Sequence, residues 1–213
     1  MVKLVTMKAS SEARQRADKL IRDVRKHPKI KGHYKFFVRP IGSQTRRCIV
    51  QDANGKYDLD FQIVLTKNSK VDESETTRIK TDFLRAFTDS ANVNEKVEDS
   101  TTVVTVRCSK NSDKFIADKE KFSFDFVIIS SGEDKRIRRN GQNQYTWVEL
   151  PSKNSYIYEK FKKMDAYKQR DMLENDLLLK IIKEKAKPED KRVATIDLFY
   201  QAVNNYNNKK VKQ

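Results

Sequence analysis

The stretch that most restricts this chain is Tyr57-Asp58-Leu59-Asp60-Phe61-Gln62-Ile63-Val64-Leu65, a run with the alternation of a β-strand and two aspartates set into it. Successive strand side chains point to opposite faces, so Asp58 and Asp60 project together while Leu59, Phe61, Ile63 and Leu65 line the other, core-facing side. Carboxylates two residues apart on a strand stand about 7 Å from one another along the backbone. A pair so placed repels itself and loses hydration, and a hard divalent cation relieves both. The other acid-x-acid triplets, Glu73/Glu75, Asp118/Glu120 and Glu174/Asp176, lie in strongly polar surroundings and read as solvated surface. An edge strand with one wet face is the plainer reading of the same pattern.

A second strand, Phe122-Ser123-Phe124-Asp125-Phe126-Val127-Ile128-Ile129, adds to the first. Phe122, Phe124, Phe126 and Ile128 share one face, which places Asp125 on the other with Ser123, Val127 and Ile129. A lone acid in so apolar a strand costs several kcal/mol unless it is paired or holds a metal. An arginine partner would satisfy Asp125; one site formed with Asp58 and Asp60 accounts for all three acids. Upstream, Gly42-Ser43 follows the apolar run Tyr34–Ile41, and Asn54-Gly55 supplies a turn just before the aspartate strand. A glycine after a strand lets backbone approach a phosphate, and a serine hydroxyl can donate to a phosphate oxygen.

This order resembles the DNA polymerase beta superfamily of nucleotidyltransferases, and within it the bacterial cyclic-dinucleotide-synthase-like enzymes and the related oligoadenylate synthases. Gly42-Ser43 and Tyr57-Asp58-Leu59-Asp60 echo the family's Gly-Ser and Asp-hydrophobic-Asp elements, and Asp125 corresponds to its third aspartate. The hairpin ending near Trp147, and Pro151 before the helical half, are similar as well. Where the family continues from Gly-Ser to Gly-Thr, this chain has Arg47-Cys48, which alters the expected triphosphate cradle.

The resemblance implies an α+β fold: a small mixed β-sheet core with an N-terminal helix over residues 1–150, a short helical region over 151–206 and a disordered tail over 207–213. It implies two-metal nucleotidyl transfer with Mg²⁺ or Mn²⁺. Asp58, Asp60 and Asp125 would be metal ligands and catalytic groups, and Gly42 and Ser43 would contact the nucleoside triphosphate. Arg46 and Arg47, with Arg39, are candidates for phosphate clamping because guanidinium forks match phosphate oxygens. Tyr57, Tyr145, Trp147, Tyr156 and Tyr158 are candidate base-stacking surfaces. The alternative reading is a catalytically inactive protein of the same fold that binds nucleotide or nucleic acid.

Composition bears on partners. The 213 residues carry 45 Lys and Arg against 30 Asp and Glu, a net charge of +15. Residues 1–50 hold 14 basic and 3 acidic side chains, whereas residues 51–100 hold 7 basic and 11 acidic ones. A basic rim around an acidic centre suits polyphosphate or nucleic acid, and the arm Lys135-Arg136-Ile137-Arg138-Arg139 is a candidate contact for an RNA acceptor. No apolar run is long enough for a membrane span, and Cys48 and Cys108 suggest neither a disulfide framework nor a zinc site. A cytoplasmic location is therefore expected.

Periodicity predicts a helix from Ser10 or Ser11 to Lys26, with Arg14, Arg16, Lys19, Arg22, Arg25 and Lys26 on its solvated face. It predicts a second helix over Glu73–Asp89, a strand over Thr101–Cys108 and a hairpin turning at Asn140-Gly141. A long helix over Ser155–Ala186 and a last one over Val193–Tyr206 follow.

Overall fold

The computed structural model describes residues 3–46, 49–52, 55–108, 121–150, 155–185, 187, 191, 193 and 195–210. The chain divides into two compact units, Lys3–Leu150 and Pro151–Gln213.

The first unit is built on a mixed sheet. Strands β2 (Phe36–Pro40), β4 (Lys56–Leu65), β7 (Lys121–Ile129), β6 (Val103–Cys108) and β5 (Glu95–Asp99) lie side by side in that order. Strands β4 and β7 run parallel and the other pairs antiparallel. A hairpin of β8 (Lys135–Gly141) and β9 (Gln144–Glu149) extends from β7, and β1 (Lys3–Leu4) pairs β3 (Val50–Gln51). Helices α1 (Met7–Lys26) and α2 (Thr76–Ser90) cover one face.

Alternation decides which face is covered. Leu59, Phe61, Ile63, Phe122, Phe124, Phe126, Val104 and Val106 are buried against Ala13, Ala17, Leu20 and Val24 of α1 and Ile79, Phe83 and Phe87 of α2. Phe126 stacks between Phe61 and Phe87, with ring centroids 5.2 and 4.5 Å away. Each buried phenylalanine adds about 2 kcal/mol of transfer free energy. On the opposite face the apolar residues are fewer: Val64, Val127 and Ile129 pack with Ile41, Val103 and Leu150. Asp58 and Asp60 of β4 and Asp125 of β7 lie on that second face.

Several boundaries differ from expectation. Helix α1 starts at Met7, where the Thr6 hydroxyl accepts from the Ala9 N–H at 3.2 Å, and Ser10 lies inside the helix. Arg16, expected in solvent, is buried: its Nε donates at 2.7 Å to Glu95, itself fully enclosed. Strand β5 has no strand signature, because Val97 is the one apolar residue among Glu95, Lys96, Glu98 and Asp99. The hairpin turns at Gln142-Asn143, with Asn143 at φ +59°, and Asn140-Gly141 falls in a register shift before it.

In the second unit the expected long helix is broken into α3 (Ser155–Lys162), α4 (Ala166–Asp171), a π turn (Met172–Leu177) and α5 (Leu178–Lys185). Asp165 restarts the helix by accepting from the Lys168 N–H at 2.8 Å, and the Gln169 amide donates to the carbonyls of Phe161 and Met164. The apolar stripe runs on through the break, which is why periodicity alone reads one helix. The last helix, α6 (Thr195–Lys210), continues past Tyr206 into the segment expected to be disordered. Phe161 and Phe199 meet edge to face at 5.1 Å. Among the described residues no helix is long and apolar enough to cross a membrane.

Candidate active site

The parallel register of β4 and β7 sets Asp60 directly beside Asp125 and Asp58 beside Ser123. Neighbouring strands lie about 4.8 Å apart, so the three carboxylates share one small patch of the face opposite α1 and α2. Asp58 is exposed and Asp60 and Asp125 are half-buried. The Ser123 hydroxyl donates to Asp58 Oδ1, and the Thr105 hydroxyl donates to Asp125 Oδ1 at 2.7 Å. Burial pushes the Asp125 carboxyl above its ordinary range; the Thr105 hydrogen bond opposes that, the Asp58 charge adds to it, and Arg107 opposes it. Arg107, from β6, is held by Glu98 at 2.7 Å and lies in register with Ser123.

The turn after β2 closes over this patch. Residues Gly42–Arg46 form a short 3-10 turn, and Gly42 adopts φ +67°. A Cβ at Gly42 would stand 2.6 Å from Asp60 Oδ2, so the approach of this backbone to the acid requires glycine. The Ile41 N–H donates to the Asp60 carbonyl at 2.9 Å, the Gln44 amide donates to the same oxygen, and Arg14 of α1 donates to the Gln44 carbonyl at 3.1 Å. Ser43, half-buried, is carried next to Gly42 in this turn. The expected Gly-Ser element and the aspartate strand are thus tied into one assembly.

Three hard oxygen donors on rigid strands suit a hard divalent cation by chemistry. Among the described residues no three carboxylate, histidine or cysteine side chains stand converged as around an ion.

The fold has counterparts among solved structures. Vibrio cholerae DncV in its 3′-deoxy ATP bound form matches 95% of this chain and 53% of that chain, with a TM-score of 0.55 and 14% identity. The cyclic AMP-GMP synthase from the same organism, in complex with the linear intermediate 5′ pppA(3′,5′)pG, matches 82% of this chain and 47% of that one, with a TM-score of 0.54 and 12% identity. Escherichia coli DncV in its 3′-deoxy GTP bound form matches 96% and 54%, with a TM-score of 0.52 and 12% identity. The chain shares the fold of these DncV structures, an α+β fold with a mixed sheet. It spans about half the length of these structures. No sequence-family model and no curated protein sequence matches it.

Within this fold the remaining candidates divide. Arg46 closes the turn, its side chain lying outside the described residues, as do Arg47 and Cys48. Arg39 is engaged on the same sheet face by Gln62 Oε1 at 2.7 Å and Glu133 at 2.8 Å. Tyr57 is buried on the helix side with its hydroxyl on the Ala9 carbonyl, Tyr145 is buried with its hydroxyl on Asp99, and the Trp147 indole donates to the Glu73 carbonyl. Tyr57 and Tyr145 are packing residues, and Trp147 is half-buried against the same core. Tyr156 is exposed in the second unit, and the Tyr158 side chain lies outside the described residues. In the basic arm, Arg139 is bound to Asp99 at 3.3 Å while Arg138 is exposed.

Sequence reasoning missed Thr105, Gln44 and Arg14 as parts of the site. Thr105 carried a signal, since it alternates with Val103 and Arg107 on the face opposite the buried valines. Its place beside Asp125 depends on the β6–β7 register, which no local pattern encodes.

Proposed function

We propose that the protein is a metal-dependent nucleotidyltransferase that moves a nucleoside monophosphate from a nucleoside triphosphate to a hydroxyl. The acceptor is a second nucleotide, giving a cyclic or linear oligonucleotide, or an RNA end. The observation that carries this reading is Asp60 beside Asp125 on parallel strands, with the Gly42 backbone pressed against the Asp60 carboxylate. The nucleotide complexes of the structurally similar synthases lend support.

Asp58 and Asp60 would hold both divalent ions and Asp125 one of them. When bound, such ions would supply a lowered pKa for the attacking hydroxyl and neutralise charge on the triphosphate. The chain's own contribution is positional. Gly42 brings backbone next to Asp60, Ser43 offers a hydroxyl to the phosphates, and the sheet keeps the acids from spreading. Asp125 would also be the group that accepts the hydroxyl proton.

A second reading, a nucleotidyltransferase fold that binds nucleotide or nucleic acid without turnover, is favoured by Arg47-Cys48 standing where the family it resembles has Gly-Thr. Incubation with the four labelled triphosphates and Mg²⁺ or Mn²⁺, with and without RNA, separates the two. Product that disappears in the Asp58→Ala/Asp60→Ala variant supports transfer. Nucleotide binding with no product under any condition supports the second reading.

A further inference from the structure

We infer that Thr105, backed by Ser100, is a positioning residue that sets the third carboxylate, Asp125, in the orientation the reaction uses. This rests on the nucleotidyltransferase reading above.

Thr105 faces Asp125 directly in the antiparallel register of β6 and β7, and it is buried. Its hydroxyl donates to Asp125 Oδ1 at 2.7 Å and lies 3.0 Å from the Ser100 hydroxyl. A hydroxyl has one proton to give. With the Thr105 proton committed to Asp125, Ser100 must be the donor of the second bond, so the chain of donation runs from Ser100 through Thr105 to Asp125. Ser100 is itself placed by the β5–β6 turn, where its N–H donates to the Val103 carbonyl at 3.2 Å and the Arg139 N–H donates to the Thr101 carbonyl at 2.7 Å. The directed pair occupies Oδ1 and leaves Oδ2 as the oxygen available for a ligand.

Asp58 has an analogous partner in Ser123, yet that hydroxyl lies on the neighbouring strand of the acid patch itself and its acid is exposed. Thr105 and Ser100 form the hold that is both buried and backed. Hydrogen-bond partners behind a metal ligand fix its orientation, and their loss weakens metal affinity or activity by about 10- to 100-fold.

The test compares Thr105→Val, Thr105→Ser, Ser100→Ala and Asp125→Asn with the parent protein. Mn²⁺ binding is followed by the electron paramagnetic resonance of the free ion, transfer kinetics are measured in parallel, and melting curves report folding. Thr105→Val is expected to bind Mn²⁺ about tenfold more weakly and lose about tenfold in kcat, with KM for the triphosphate within about twofold. Thr105→Ser should restore both. Wild-type Mn²⁺ affinity and kcat in Thr105→Val, while Asp125→Asn loses them, would overturn the inference and leave the proposed function standing. Wild-type Mn²⁺ affinity in Asp125→Asn, or no Mn²⁺ binding by the parent protein, would remove the proposed function and this inference with it. If Thr105→Val does not fold, Ser100→Ala decides: weakening of about threefold supports the relay, and no change overturns it.

Discussion

Gly42 and Gly32 share a left-handed backbone, φ +67° and +79°, and differ in what surrounds them. A Cβ at Gly32 would meet nothing within 4 Å, whereas one at Gly42 would stand 2.6 Å from Asp60 Oδ2. Gly32→Ala should therefore cost only the conformational penalty, about 1 to 2 kcal/mol. Gly42→Ala adds a clash to that penalty and should lower the melting temperature further and abolish triphosphate binding. Equal melting shifts and intact nucleotide binding in both variants would refute the close approach of turn and acid. Asp125 gives a pH-dependent counterpart. Its folded-state pKa is raised above the ordinary 3.8, chiefly by burial. The folded state thus holds this proton more tightly than the unfolded chain, so the carboxyl costs stability that appears as pH rises from its ordinary value through the raised one. In chelator, Asp125→Asn should melt above the parent protein at pH 7, and the gap should close as pH falls below about 4. A gap that is absent at pH 7 or widens in acid would contradict the shift.

At the scale of elements, buried ion pairs tie the helices to the sheet. Arg16 of α1 and Glu95 of β5 are enclosed, and Glu95 also accepts from the Asn92 N–H at 2.9 Å and lies 3.5 Å from Cys108 Sγ. Lys80 of α2, almost wholly buried, donates to the Val103 carbonyl at 2.8 Å and lies 3.2 Å from Asp99. Burial lowers the Lys80 pKa, and Asp99 counters it. Removing one member of such a pair strands a buried charge, whereas removing both replaces it with packing. Arg16→Met should cost about 3 to 5 kcal/mol in chemical denaturation, and Arg16→Met with Glu95→Leu should recover much of that loss. A double variant no more stable than Arg16→Met would show that the pair contributes net stability and not merely mutual compensation. Because α1 also reaches the Gly42 turn through Arg14 and Gln44, loosening this helix should weaken the site as well as the fold.

For the whole molecule, the sheet uses its two faces for opposite purposes: one is sealed by α1 and α2, and the other leaves three acids on a chain of net charge +15. Like charges held together store repulsion that a bound cation releases. Millimolar Mg²⁺ or Mn²⁺ should raise the melting temperature, more so with a triphosphate present, since ligands selective for the folded state stabilise it by mass action. Asp58→Ala with Asp60→Ala should remove that shift and any transfer while leaving the metal-free melting temperature equal to the parent's or higher. Melting curves that do not move with metal and nucleotide would count against the proposed function.

The aspartate strand was legible from residues alone because period-two alternation is a local property: Asp58 and Asp60 on one face, Leu59 and Phe61 on the other, follow from the chain's geometry. The Asp125 strand and the buried stripes of α1 and α2 were legible for the same reason. The order Gly-Ser, Asp-x-Asp, Asp pointed to an α+β fold with a mixed sheet, and the chain shares its fold with the DncV structures. Only tertiary structure decided that Asp60 neighbours Asp125, since parallel register joins residues 65 positions apart and no local pattern encodes it. It also decided that Thr105 holds Asp125, that Gly42 presses on Asp60, and that Arg16 and Lys80, polar by type, are buried against acids on distant strands. Side-chain chemistry sets what each residue can do, and long-range pairing sets which residues meet.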